Sequence, residues 1–162
     1  MLKEKIQSDI KDALKSGDKE KRLVLSILMA AIKNKELNKR GQLSKTTINT
    51  SQLDIQSQLN DEEVLEAISS EVKKRKESIE QFTAGNRPEL AAKEKSEMAI
   101  LSIYLPEQMS ENDIKQEAVN AIKELGATTV KDMGKVVGRV MSKFKNKVDG
   151  GLVSKIIKEL LS

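Results

Sequence analysis

The chain has 162 residues, 38 % of them apolar and 33 % charged, with 29 Lys and Arg against 25 Asp and Glu. This balance predicts a soluble globular protein of one domain or two small ones. Neither Cys nor His occurs, which excludes thiol nucleophiles, disulfides, zinc-finger spacing and any mechanism that needs a histidine base. The aromatic residues are Phe82, Tyr104 and Phe144, too few for a platform on which bases stack, so any contact with nucleic acid must go mainly to phosphate or sugar.

In chain order the pattern reads as seven helices and no strands, an all-α fold. The first, residues 2–16, carries Leu2, Ile6, Ile10, Ala13 and Leu14 on one stripe. The second, residues 18–40, is nearly continuously apolar at its middle, as expected of a helix packed on more than one side. Residues 42–60 follow, 12 of 19 being Gln, Ser, Thr or Asn, which predicts a flexible insertion. Asp61 is the expected cap of a third helix running to residue 83, within which lies the charge run Lys73, Lys74, Arg75, Lys76. Asn86 and Pro88 mark the start of a fourth, expected to reach Leu105 and stop at Pro106.

Pro106 divides the chain into an N-terminal helical bundle, residues 1–106, and a small three-helix domain, residues 107–162. Ser110 with Asp113 opens the fifth helix and Gly126 closes it. The sixth, residues 130–144, buries Met133, Val136, Val137, Val140, Met141 and Phe144. The seventh opens at Asp149 and buries Leu152, Val153, Ile156, Ile157, Leu160 and Leu161.

The longest apolar run, residues 23–32, is broken by Ser26 and is about half of a membrane span. No membrane partner is expected. The N-terminus lacks the apolar region of a secretory signal, which points to a cytoplasmic protein, or to the mitochondrial matrix if a presequence has been removed.

Charge is unevenly spread. Residues 131–158 hold eight bases and two acids, a net of +6, while the other 134 residues hold 21 bases and 23 acids. Lys131, Lys135, Arg139 and Lys143 form a slanting stripe opposite the apolar face of the sixth helix, continued by Lys145 and Lys147. An anionic partner would produce this asymmetry; so would a solvated face that keeps the helix soluble. Gly134 and Gly138 each cost a helix about 1 kcal/mol relative to Ala, which calls for a close approach there, either by a neighbouring helix or by a bulky ligand. Gly150 and Gly151 leave the first-turn N–H groups of the last helix open to a phosphate; a tight turn explains them as well.

The strings KDMGKVVGRVMSKFKNKVDGGLVSKIIKELL, residues 131–161, and YLPEQMSE, residues 104–111, resemble the YqeY proteins. AAIKNKE (30–36), DEEV (61–64) and KKRKESIEQF (73–82) fall where that family has similar strings. The resemblance implies an all-α protein whose C-terminal domain is similar to the tail of the GatB chain of glutamine-dependent aminoacyl-tRNA amidotransferase, which recognises the tRNA body while chemistry happens elsewhere. It implies a tRNA-binding module, or one that acts on an enzyme carrying tRNA. Gly134, Lys135, Gly138, Lys143, Lys145 and Asp149 match the pattern, and Arg139, Lys147 and Gly150 join them as candidate RNA contacts. Lys147 and Gly151 stand where the family usually has Arg and Lys, and Ser26 where it often has Arg; an ammonium in place of a guanidinium loses bidentate phosphate geometry.

No catalytic residue, metal or cofactor is expected. The Ser/Lys loop that hydrolyses glutamine in the complete amidotransferase has no counterpart here, so a carbon–nitrogen ligase label on the family would be inherited from that enzyme. The alternative function is a helical adaptor docking an acidic protein, with the basic stripe as its rim.

Overall fold

The computed structural model describes residues 1–46 and 49–162. It contains α1 (Leu2–Ser16), α2 (Lys19–Leu43), α3 (Thr50–Gln56), α4 (Asp61–Ala84), α5 (Pro88–Ser102), α6 (Glu111–Leu125), a 3-10 turn (Val130–Asp132), α7 (Met133–Lys143) and α8 (Gly150–Leu161). No strand occurs among the described residues, and none of these helices is long and apolar enough to cross a membrane. The chain divides into two compact units, Met1–Tyr104 and Leu105–Ser162.

In the first unit α1 packs against α2, and α2 in turn meets α3, α4 and α5. Gly17, at φ 75°, takes the left-handed turn that ends α1, and the Asp18 N–H donates to Ala13 O at 2.9 Å. Asp18 then caps α2, its Oδ1 accepting from the Lys21 N–H at 3.0 Å. The core is Ile6, Val24, Leu25, Leu28, Ile32, Val64, Ile68 and Leu101, each at most 1 % exposed. The centre of α2 is not buried all round, as its apolar run suggests: Leu23 and Ile27 point outward, because its neighbours occupy only the opposite stripe.

Between α2 and α4 the polar tally overlooks two anchors. Leu53 and Leu59 are buried, Asn49 Oδ1 accepts from the Ser51 and Gln52 N–H groups to start α3, and Arg40 pairs with Asp54. Residues 50–56 are therefore helical where the composition suggests a flexible insertion over residues 42–60; Thr47 and Ile48 lie outside the described residues. Asn60, not Asp61, caps α4: its Oδ1 accepts from the Glu63 N–H while Glu63 Oε2 accepts from the Asn60 N–H, both at 2.9 Å. Asp61 instead accepts from the Leu2 N–H at 2.8 Å.

Two charged clusters are buried in this unit. Glu36 accepts from Lys3 Nζ at 2.5 Å and from the Leu59 N–H at 3.3 Å. Burial pushes its carboxyl up, but these bonds and nearby Lys33 outweigh it and leave the group below the usual carboxylate range. Arg75 reaches Glu71 Oε2 and Glu97 Oε2, both at 3.2 Å, tying α4 to α5, while its Nε has no partner. Within the run 73–76 the three lysines are exposed and Arg75 is a core residue. Asn86, at φ 53°, closes α4, and Arg87 rather than Asn86 precedes Pro88 at the start of α5. That helix stops at Ser102, short of the expected Leu105, because Tyr104 turns inward to donate to Asp9.

The second unit is three helices packed pairwise, α6 with α7, α6 with α8 and α7 with α8. Its core is Ile114, Ala118, Ala121, Val136, Val140, Val153, Ile156 and Ile157. Ser110 Oγ accepts from the Asp113 N–H at 3.2 Å and Gly126, at φ 61°, ends α6. The expected sixth helix is in two parts, since Asp132 accepts from the Thr128 and Thr129 N–H groups at 3.2 Å and winds the first turn as 3-10. Those bonds, with Lys135 nearby, hold the Asp132 carboxyl below its usual range.

Candidate nucleic-acid interface

Helix α7 turns Val136 and Val140 into the core and leaves Gly134, Lys135, Gly138, Arg139 and Lys143 exposed. At 100° per residue the two glycines lie on a strip between the apolar edge at Val137 and Met141 and the basic stripe. A Cβ built on either glycine would meet no neighbouring atom within 4 Å. Of the two explanations open from sequence, packing by a neighbouring helix finds no support: the flank is bare, and Ala would fit at both positions.

The basic stripe is partly answered from within. Arg139 makes a two-pronged contact with Glu124, Nη2 to Oε1 at 2.6 Å and Nε to Oε2 at 3.3 Å. Lys143 Nζ lies 2.8 Å from Glu117 Oε2. Glu117 and Glu124 are seven residues apart on α6, so they project from one side of it. Lys135, Lys145 and Lys147 are exposed.

Lys145 and Lys147 sit on the turn from α7 to α8, and that turn is held by the segment before α6. The Met109 N–H donates to Lys147 O at 2.8 Å, and Gln108 Nε2 donates to Asn146 O at 2.8 Å and to Pro106 O at 3.0 Å. Asn146, at φ 64°, takes the left-handed bend. Gln108, Glu117 and Glu124 are site residues that sequence reasoning misses. The spacing of the two glutamates is a visible signal; the helix they face is not.

The N-terminus of α8 differs from an open phosphate seat. Asp149 Oδ1 accepts from the Leu152 N–H at 2.9 Å, placing a carboxylate where an anion would bind. A Cβ on Gly151 would lie 3.1 Å from that same oxygen, and one on Gly150 would make ordinary contact with Met141 Cε at 3.5 Å. The cap carboxylate thus gives Gly151 a structural reason, and Gly150 rests against Met141 whatever else it does. Among the described residues no group of three or more acidic side chains is placed to hold a metal ion.

These features define an all-helical chain with a small C-terminal three-helix unit that presents cations beside a bare glycine strip. The family model for Yqey-like proteins matches residues 3–49 and 42–161, and the chain belongs to that family. It is also similar to proteins named altered inheritance of mitochondria protein 41, mitochondrial. The identity is 33 % over 113 residues with the protein of Saccharomyces cerevisiae strain YJM789, covering 68 % of this chain and 53 % of the relative. It is 27 % over 115 residues with that of Candida glabrata, covering 70 % and 56 %, and 28 % over 100 residues with that of Lachancea thermotolerans, covering 62 % and 46 %. The chain spans about half the length of these relatives.

Proposed function

We propose that the C-terminal unit binds the backbone of a folded RNA, tRNA or tRNA held by an enzyme, without catalysing a reaction. The observation that carries this reading is the bare strip of Gly134 and Gly138 beside exposed cations. Two helix-weakening residues with no internal neighbour are explained by a bulky partner that comes close to the helix backbone. Lys135, Lys145 and Lys147 supply the first phosphate contacts, and Arg139 and Lys143 contribute as they leave Glu124 and Glu117. The resemblance to the amidotransferase tail supports tRNA as the RNA. The names of the fungal relatives support a mitochondrial setting over the cytoplasmic one.

The test is filter binding with unmodified tRNA across a salt series, comparing the parent chain with a Lys135→Glu, Lys147→Glu double variant. Each phosphate contact adds about 0.7–0.9 to the slope of log affinity against log salt, so losing two should flatten it by about 1.4–1.8. A Lys73→Glu, Lys76→Glu control on α4 should leave it unchanged. An unaltered slope in the first variant overturns the reading.

One observation favours the adaptor alternative. Arg139 and Lys143 of the stripe already carry carboxylates, so the stripe accepts acidic side chains in the geometry an acidic protein surface would offer. Absence of tRNA binding at low salt, with capture of an acidic protein lost on reversing Lys135, would favour that reading.

A further inference from the structure

The outward face of α2 has a pattern that neither the core nor RNA binding uses. Leu23, Ile27, Ala30, Asn34 and Leu37 follow one another at intervals of four, three, four and three residues, and all five are exposed, Leu23 at 54 %, Ile27 at 43 % and Leu37 at 53 %. This is the alternation of the a and d positions of a two-stranded coil, with Ile27 and Asn34 at a and Leu23, Ala30 and Leu37 at d. Of the buried stripe of the same helix, Leu25, Leu28, Ile32 and Glu36 lie on the opposite side while Val24, also in the core, borders the outer seam, so α2 has two seams, and among the described residues only the inner one is filled.

We infer that the outer seam of α2 pairs with the same seam of a second copy of this chain, the two helices parallel and Asn34 meeting Asn34. The residues of the seam select that occupant and its flanks select the orientation. A single Asn at an a position is costly against an apolar partner and is satisfied by its own amide in a parallel pair, where it also fixes register. The residues flanking the seam select the orientation. One flank is Lys19, Ser26, Lys33 and Arg40, and the other is Val24, Ala31 and Asn38. An antiparallel pair sets like flanks together and brings cations against cations; a parallel pair sets Lys33 beside Asn38 and avoids this. The charged partners facing these groups are internal: Lys33 lies 3.8 Å from Glu36, and Arg40 is paired with Asp54. Ser26 Oγ donates to Arg22 O at 2.7 Å and so stays folded on its own helix, leaving the seam free beside Ile27. From Leu23 to Leu37 the seam is about 21 Å long at 1.5 Å per residue, at the small end of specific interfaces, so the dimer is transient and concentration-dependent.

The experiment is sedimentation velocity on the full chain from micromolar to near-millimolar concentration, with no RNA present. The parent should show a reversible monomer–dimer equilibrium, and Ile27→Lys and Leu37→Lys should each raise its dissociation constant about tenfold or more while leaving the thermal melt in place, since both side chains are exposed. The chain has no Cys, so single-cysteine variants report orientation. Asn34→Cys should oxidise readily to a disulfide-linked dimer because equivalent a positions face each other within bridging distance, whereas Lys33→Cys on the flank should not. A monomer at every concentration, a dimer indifferent to both lysine variants, or equal cross-linking at positions 33 and 34 overturns the inference.

Discussion

Replacing Gly138 with Ala pulls stability and binding in opposite directions. Gly138 lies in the interior of α7, and the added Cβ meets nothing within 4 Å. The only folding effect left is backbone entropy, which favours Ala over Gly by about 1 kcal/mol in a helix interior. In a unit of about 60 residues this corresponds to a rise in melting temperature of about 4–8 °C. Gly134, in the first turn of the same helix, should give a smaller gain. If a partner backbone sits on this strip, the same methyl lies in its path, and affinity for tRNA should fall, with Gly138→Leu falling further. Differential scanning calorimetry and filter binding on the same preparations test both halves. A lower melting temperature would reveal a packing neighbour at the strip, and a stabilised variant with unchanged affinity would separate the strip from the RNA surface. Either result refutes the reasoning.

Glu117→Gln with Glu124→Gln removes the carboxylates that hold Lys143 and Arg139; tRNA affinity should rise several-fold and the salt slope should steepen by about 1–2 in filter binding. Arg75→Met strands Glu97 in the core and leaves Glu71 with Lys74 alone, and it should destabilise the first unit by about 3–5 kcal/mol, read by urea unfolding. Burial pushes the Glu71 carboxyl up, but Lys74 and Arg75 outweigh it, so it titrates below its ordinary value, as Glu36 does. Their stabilisation is complete above the unfolded carboxylate pKa of about 4.3 and is lost as pH falls through the lower folded values. Glu36→Gln should therefore flatten the acid limb of a stability–pH profile measured by urea unfolding.

The legible parts of this fold carry local signals. Ser110, Gly126 and Asp149 mark helix ends because capping is settled within four residues of chain, and these ends stand where the pattern puts them. Asp61 and Asn86 carry the same kind of signal, but Asn60 takes the cap of α4, and α5 starts at Arg87 with no side-chain cap at all. What composition hides is tertiary. Arg75 looks like its lysine neighbours until two glutamates, four residues earlier on α4 and across on α5, enclose it. Leu53 and Leu59 are isolated in a polar stretch, yet the fold buries both. At the candidate site the basic stripe is readable from spacing alone. The pairing of Arg139 and Lys143 with α6 and the bareness of the glycine strip require the three helices to be placed.

The hydrogen bonds from Gln108 and Met109 to the carbonyls of Asn146 and Lys147 have a thermodynamic consequence. They order the turn that carries Lys145 and Lys147 during folding, so an incoming ligand need not supply that entropy when it binds. The turn is preorganised by residues outside the basic stripe. Gln108→Ala should therefore weaken tRNA binding through a less favourable entropy, visible in calorimetry, while the salt slope, which counts phosphates, stays where it was.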